Sequence, residues 1–470
     1  MTRLFTSMRP SRLMVALAAA LALVGGYAMA EAKAWSLKEA AAPYAGTTIN
    51  MICQAYTPCD AIEVLAPEFT EETGITVNFE LTDIDTSSKK GLTDAITDGG
   101  YYDIVEVPGM LNALWGAQGF ATPYEQFYSN PALKDPNFNV QDFIPELLAM
   151  NSQYAGQQTL MPKEYFVSFA VARKDILAHP EERANFKAKY GYDLPPAELV
   201  VEVGTWDQWR DMAEFFTRSK GETLAGEVLD KDFYGISVSF KHHLAVWYDF
   251  THSLYAMGGE LYDEDFNPKL NSPEAIAALQ FMLDMREFAP PSYAEYTWDE
   301  QYSDFCKGNT FSGWCWGDVS FYLQSEEDCP VSAHNVTHFL YPGTHIAIPY
   351  ANTWIIPTSS PRKEAAYLFV QWMTSKETQI KATRNGWMPN RKDVLAMDEW
   401  QQDYHTAGWT QVHLAALEGD HFSKIHQHPS FVAFQEMMVE ELSSAAVDGR
   451  SAEEVMNTIQ EKAEKIITKD

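Results

Sequence analysis

The sequence predicts an α/β fold in more than one lobe, on three observations. Short apolar runs alternate with stretches of helical spacing along the chain. Hydrophobic residues make up 46% of its 470 positions, enough for real cores. No Pro/Gly/Ser-rich linker divides it. The order strand, helix, strand, helix, strand implies parallel pairing with right-handed crossovers. The length allows about two to four domains at roughly 100–200 residues each. Lobes without a linker imply a chain that passes between them more than once.

Residues 1–30 read as an export leader. Arg3, Arg9 and Arg12 make a basic start, and Leu13 to Val24 is an apolar run too short to span a bilayer. Gly25 and Gly26 break it, and Ala28-Met29-Ala30 fits a cleavage site. No cysteine sits at the cut, so no lipid anchor is expected. Later segments lack the ~20 unbroken apolar residues of a spanning helix. The mature chain is therefore expected to be exported and soluble.

Glu31 to Gly46 forms a short linker. Thr48 to Cys53 suits a buried strand, and Ile62, Leu65 and Phe69 recur at helical spacing before Gly74, a C-cap. Ile75, Val77 and Phe79 alternate with the period of a strand. A second helical stretch around Leu92 to Ile96 leads to the strand Asp103 to Val107, ended by Pro108-Gly109. Thr205 and Gln208 form a capping box ahead of Trp209, Met212 and Phe216. Ser272-Pro273 and Ser360-Pro361 each place a capping serine before a proline. Ser451 with Glu454 opens a closing helix that carries Val455, Ile459, Ala463 and Ile466.

With 34 Lys+Arg against 65 Asp+Glu, the formal charge is −31. Such a chain repels phosphate backbones and anionic lipid, which argues against nucleic-acid and membrane-surface partners. Cys53 and Cys59 flank a Tyr56-Thr57-Pro58 turn, and an oxidising compartment would let them pair. Cys306, Cys315 and Cys329 allow one further bridge and leave one thiol over. Nothing has a paired-cysteine zinc spacing. Lys241-His242-His243 and His421, His426 and His428 lack a helix-face metal spacing, and no H-E-x-x-H occurs. No metal or cofactor is expected. G-x-S-x-G, Walker and dinucleotide motifs are also missing, so no catalytic residues are assigned.

Several segments, in order, resemble the family 1 extracellular solute-binding proteins of ABC importers, the maltose-binding-protein group. They are Leu65-Ala66-Pro67-Glu68-Phe69 with Glu72 to Val77, the Asp103-Ile104-Val105 strand, and Gly204-Thr205-Trp206-Asp207-Gln208-Trp209. Met257-Gly258-Gly259, Phe305 to Trp316, Ser360 to Trp372, Gly386 to Arg391 and Gly449 to Glu454 follow. The chain departs from the pattern at Thr310-Phe311-Ser312 and at Ala351-Asn352-Thr353-Trp354.

The resemblance implies a two-lobed periplasmic binding protein fold of type II, hinged over a ligand cleft. It places the N-terminal lobe at residues 46–163 and 340–385, and the C-terminal lobe at 164–339 and 386–470. Tyr56 and Asp60 follow the first strand at the mouth of the crevice, and Glu106 ends a strand there. Trp316 and Asp318 fall where the family sets a stacking aromatic. Trp354 lies where family members approach the ligand with backbone, and Trp387 and Arg391 flank Pro389 on a return crossing. Tyr165, Trp247 and Phe434 complete the candidate set. The function implied is a non-enzymatic monomer that captures a carbohydrate or polyol for an ABC transporter permease. The alternatives are a binder of cationic solutes such as polyamines, and a secreted carbohydrate-active enzyme, which needs a carboxylate pair ~5–9.5 Å apart.

Overall fold

The computed structural model describes residues 34–263, 265–343, 349–403, 407–416, 428 and 430–467. The leader, His421 and His426 lie outside the described residues. Two five-stranded sheets organise the chain. Thr48–Gln54 occupies the middle of the first half of one sheet because Ile49, Met51, Ile52 and Cys53 are buried on both faces. It runs parallel to Thr76–Thr82 on one side and to Ile104–Pro108 on the other. Asn352–Ile355 then adds antiparallel to Ile104–Pro108, and Met161–Pro162 closes the edge.

Helices pack on this sheet for local reasons. Thr57–Thr73 begins with Pro58 in its first turn and stops at Gly74, whose φ of +73° favours a residue without Cβ. Asp83 caps Ile84–Ile96 by accepting the Thr86 N–H at 2.8 Å. That helix lies close on the sheet at Gly91, where a Cβ would sit 2.3 Å from Val105 Cγ1.

The second sheet runs Ser312–Trp316, Phe166–Arg173, Val336–Leu340, Val200–Glu202, and Pro349–Tyr350 also pairs with the Phe166 end. Its core gathers Trp209, Phe281 and Trp314, with ring centroids 5.1–6.3 Å apart.

Three segments join the sheets. Residues 163–165 lead from Met161–Pro162 to Phe166–Arg173, and Ala351 leads back from Pro349–Tyr350 to Asn352–Ile355. A third passes near residues 387–391, where Trp387 belongs to the first core and Met388 to an adjoining second-lobe core. The return expected near residue 340 thus falls at Ala351, because Val336–Leu340 and Pro349–Tyr350 stay hydrogen-bonded to Phe166–Arg173. The Asn390 side chain donates to the Pro162 and Lys163 carbonyls at 2.6 and 3.0 Å, tying two crossings together.

Two caps differ from expectation. Ser360 does not cap Lys363–Met373, since its hydroxyl donates to buried Asp103 at 2.6 Å and Arg362 takes the N-cap place. Gln208 reaches the Gly204 N–H rather than that of Thr205. Ser272 and Ser451 cap as the sequence predicts, the latter as a full capping box.

Candidate functional site

Between the sheets lies a cavity of about 620 Å³. Its first-lobe wall consists of residues 54–57 and 82–85 with Pro108, at the carboxyl ends of the parallel strands. The opposite wall carries Phe166, His243, Leu244, Tyr248, Trp298, Asp299, Tyr302, Ser303, Trp316, Val319, Tyr322 and Tyr350. Ala351 and Asn352 line it from the return crossing. Among the described residues, the lining holds three aspartates and no lysine or arginine.

Aromatic packing fixes the far wall. The Trp316 ring meets Phe166, Tyr248, His252 and Tyr350 edge-on at centroid distances of 4.8–5.4 Å. His243 caps the helix Leu244–Ala256 through Nδ1 and packs edge-on against Trp298 at 4.6 Å. Burial lowers its pKa, while Asp85 from the facing lobe and Asp299 pull it upward. Asp299 itself is raised by burial and by its neighbour Glu300. The Asp83 carboxyl is held low by its bonds to Thr86.

The near wall rests on a buried ionic cluster. Lys163 Nζ lies 2.7 Å from Glu106 Oε1 and 3.1 Å from Glu164 Oε2, all three side chains wholly buried. Lys163 also donates to the Tyr56 hydroxyl at 2.6 Å and sits 4.3 Å from the centre of its ring. The Tyr56 hydroxyl bonds Glu164 and Glu106 and accepts from Asn352 at 3.0 Å. Burial raises Glu164 to about 7, with Lys163 opposing and Glu106 adding to the rise.

Of the residues expected from sequence, Tyr56 and Trp316 line the cavity and Glu106 stands directly behind Tyr56. Asp60, Tyr165, Trp247, Trp354, Trp387, Arg391 and Phe434 do not line it. Asp60 is exposed on the first turn of its helix. Trp354 lies two residues deeper along its strand than Asn352, beneath the cavity, and packs on Trp387. Arg391 is buried against Asp142 and Asp393 at 2.8 and 3.2 Å. Tyr165 donates to the His413 carbonyl, and Trp247 packs edge-on with Phe434 in the second core. The side chain of Asp318 lies outside the described residues.

Sequence reasoning weighed His243 only as a metal ligand and passed over Tyr248, Trp298, Tyr302 and the Lys163-Glu164 pair. For the last a signal was present: two opposite charges interrupt the apolar run from Leu160 to Val167. Cys53–Cys59 and Cys306–Cys329 are disulfides, and Cys315, also buried, belongs to neither. Cys53, Cys59 and Glu106 are the one group of potential metal ligands clustered within 4.8 Å among the described residues, and both sulfurs are spent in the disulfide. No helix among the described residues is long and apolar enough to cross a membrane.

Comparison with known proteins places this geometry. The chain is 25% identical over 304 residues to the mannitol-binding protein of Pseudomonas aeruginosa, covering 63% of this chain and 61% of that protein. It is 21% identical over 354 residues to the erythritol/L-threitol-binding protein of Mycolicibacterium smegmatis, covering 73% and 69%. The ribitol complex of a solute-binding protein from Agrobacterium radiobacter K84 shares the fold at a TM-score of 0.74 and 20% identity, over 90% of this chain and 99% of that one. A D-mannitol complex from Agrobacterium vitis S4 matches at 0.71 and 19%, over 89% and 98%. Residues 60–380 match the profile of the bacterial extracellular solute-binding proteins, so the chain belongs to that family.

Proposed function

We propose that the protein captures a neutral sugar or alditol outside the cytoplasm and presents it to the permease of an ABC transporter, acting as a monomer after its leader is removed. The observation that carries this reading is the cavity lining. Eight aromatic rings, from Tyr56 to Tyr350, can cover the C–H faces of a polyhydroxylated chain or ring. Asp83, Asp85, Asp299, Gln54, Asn352, Thr57, Thr82 and Ser303 supply acceptors and donors for hydroxyls. With no lysine or arginine among the described lining residues, three aspartates disfavour a sugar acid or sugar phosphate. The mannitol and erythritol/threitol names of the two relatives support the same class. The work done is closure of two lobes on a bound solute, without bond chemistry.

The same three carboxylates favour one second reading, a cationic solute such as a polyamine. A thermal-shift screen decides between them, because a bound solute raises the melting temperature in proportion to RT ln(1 + [L]/Kd). Alditols and sugars should stabilise the protein, while gluconate and sugar phosphates should not. Stabilisation by spermidine or putrescine alone overturns the sugar reading.

A further inference from the structure

Tyr56 is a lining residue whose side chain is bonded to two of the hinge segments at once. Its ring faces the cavity, and its hydroxyl accepts from Lys163 Nζ at 2.6 Å and bonds the Glu164 carboxylate, both on the outgoing crossing. Asn352, at the end of the return crossing, donates to the same oxygen at 3.0 Å. Behind it, Glu106 receives Lys163 at 2.7 Å, the Tyr56 hydroxyl at 3.1 Å and the Gln54 N–H at 2.8 Å, which anchors the cluster to the first sheet. The Cys53–Cys59 disulfide brackets the loop, with Cys59 Sγ 3.2 Å from Glu106 and 3.4 Å from Lys163. Lys163, Glu106 and Glu164 are wholly buried, so water cannot replace a broken bond within the cluster.

We propose that Tyr56 couples ligand contact to the hinge, its ring meeting the solute and its hydroxyl transmitting that contact to both crossings. The proposal rests on reading the cavity as the ligand site. A solute that shifts the ring shifts one oxygen, and that oxygen is shared by segments whose relative angle sets the opening of the lobes. Tyr56 is thus a positioning residue as well as a wall. The charged and titratable groups that face the cluster are Glu106, Lys163, Glu164 and Tyr56 itself. Burial raises Glu164 to about 7, so the carboxyl that accepts from the Tyr56 hydroxyl gains and loses its proton near neutral pH. Once Glu164 ionises, two carboxylates compete for one lysine.

The test uses the full mature chain, spin-labelled at Val64→Cys and Val228→Cys, which are 65% and 71% exposed on the two lobes. Interlobe distances are read by electron–electron resonance, alongside calorimetric titration with D-mannitol. In the parent protein, saturating mannitol should shorten the distance. Tyr56→Phe keeps the ring and removes the hydroxyl. It should lose most of that shortening at confirmed saturation and weaken binding by about 5- to 150-fold. Asn352→Ala should do the same, which keeps the test decisive where the first variant folds poorly. Full closure of both saturated variants, with only Kd or melting temperature changed, overturns the proposal. Where no alditol or sugar binds the parent protein, the reading of the cavity falls. The coupling is then judged without ligand: the distance distribution should be narrower at pH 6 than at pH 8, and Tyr56→Phe should abolish the difference. Identical distributions at both pH values overturn it.

Discussion

The indole rings of Trp354 and Trp387 face each other with centroids 5.9 Å apart and an interplanar angle of 46°, both fully buried. One belongs to the central antiparallel strand of the first sheet, the other to the third crossing. Each therefore fills the first-lobe core at its contact with the hinge. Replacing either with alanine should cost about 3–5 kcal/mol of stability through the cavity left behind. Alditol affinity of the folded fraction should stay unchanged. Melting curves with calorimetry at a temperature well below the transition check this, and a weakened Kd without loss of stability counts against it.

Trp316 should behave in the opposite way. Its ring is half-buried and forms the far wall of the cavity, so Trp316→Ala removes apolar area that a solute covers. Binding should weaken by roughly 1–3 kcal/mol, about 5- to 150-fold in Kd. The four rings around it keep one another in place, so the change in melting temperature should be smaller than for Trp354→Ala. Calorimetric titration with D-mannitol reads the first quantity directly.

Stability should carry a pH signature from Glu164. Its carboxyl is raised to about 7 by burial, with Glu106 adding and Lys163 opposing, so the folded state favours the proton. That contribution is complete below the ordinary carboxyl range and is lost as pH rises through about 7. Glu164→Gln keeps a neutral side chain at every pH. Its melting temperature should therefore gain on the parent protein between pH 5 and pH 8. His252, His338 and His413, held neutral by burial at about 3, 4 and 3, act with the opposite sign, their contribution lost as pH falls below 6.5. They cancel in the comparison. A difference that stays flat with pH sinks the assignment.

The two disulfides should contribute unequally. Cys53–Cys59 spans 6 residues and Cys306–Cys329 spans 23. Chain-entropy arithmetic gives about 2 and about 3 kcal/mol respectively. Paired Cys→Ser substitutions at 306 and 329 should thus lower the urea midpoint more than those at 53 and 59. Peptide mapping of the non-reduced protein should recover both linked pairs, with Cys315 in neither.

Local signals carried the fold further than the site. The strand periods before and after Gly74, the glycine cap itself and the serine caps at 272 and 451 depend on near neighbours in sequence, and the structure keeps them. Ser360 failed as a cap because its partner, Asp103, is 257 residues away. The cavity is decided by the same kind of distance. Trp354 and Trp316 both sit in short candidate strands of the sequence, Ala351-Asn352-Thr353-Trp354 and Ser312-Gly313-Trp314-Cys315-Trp316. Trp354 is buried by the depth of its strand in the sheet, while Trp316, at a strand end, is only half-buried and reaches the cavity. No spacing rule separates them. His243 and Asp299 become cavity residues only because helices far apart in the chain meet across from Asp85.

The return of the chain at Ala351 also governs how the polypeptide is assembled. Until Asn352–Ile355 has emerged, Ile104–Pro108 lacks its antiparallel neighbour and Met161–Pro162 has nothing to pair with. The first-lobe sheet therefore cannot be completed during synthesis or export before nearly the whole middle of the chain has followed it. A nascent chain stopped before residue 351 carries an open sheet edge, the feature that invites misassembly and recognition by holding chaperones. Completing the first-lobe sheet so late leaves the earlier part of the polypeptide extended for longer.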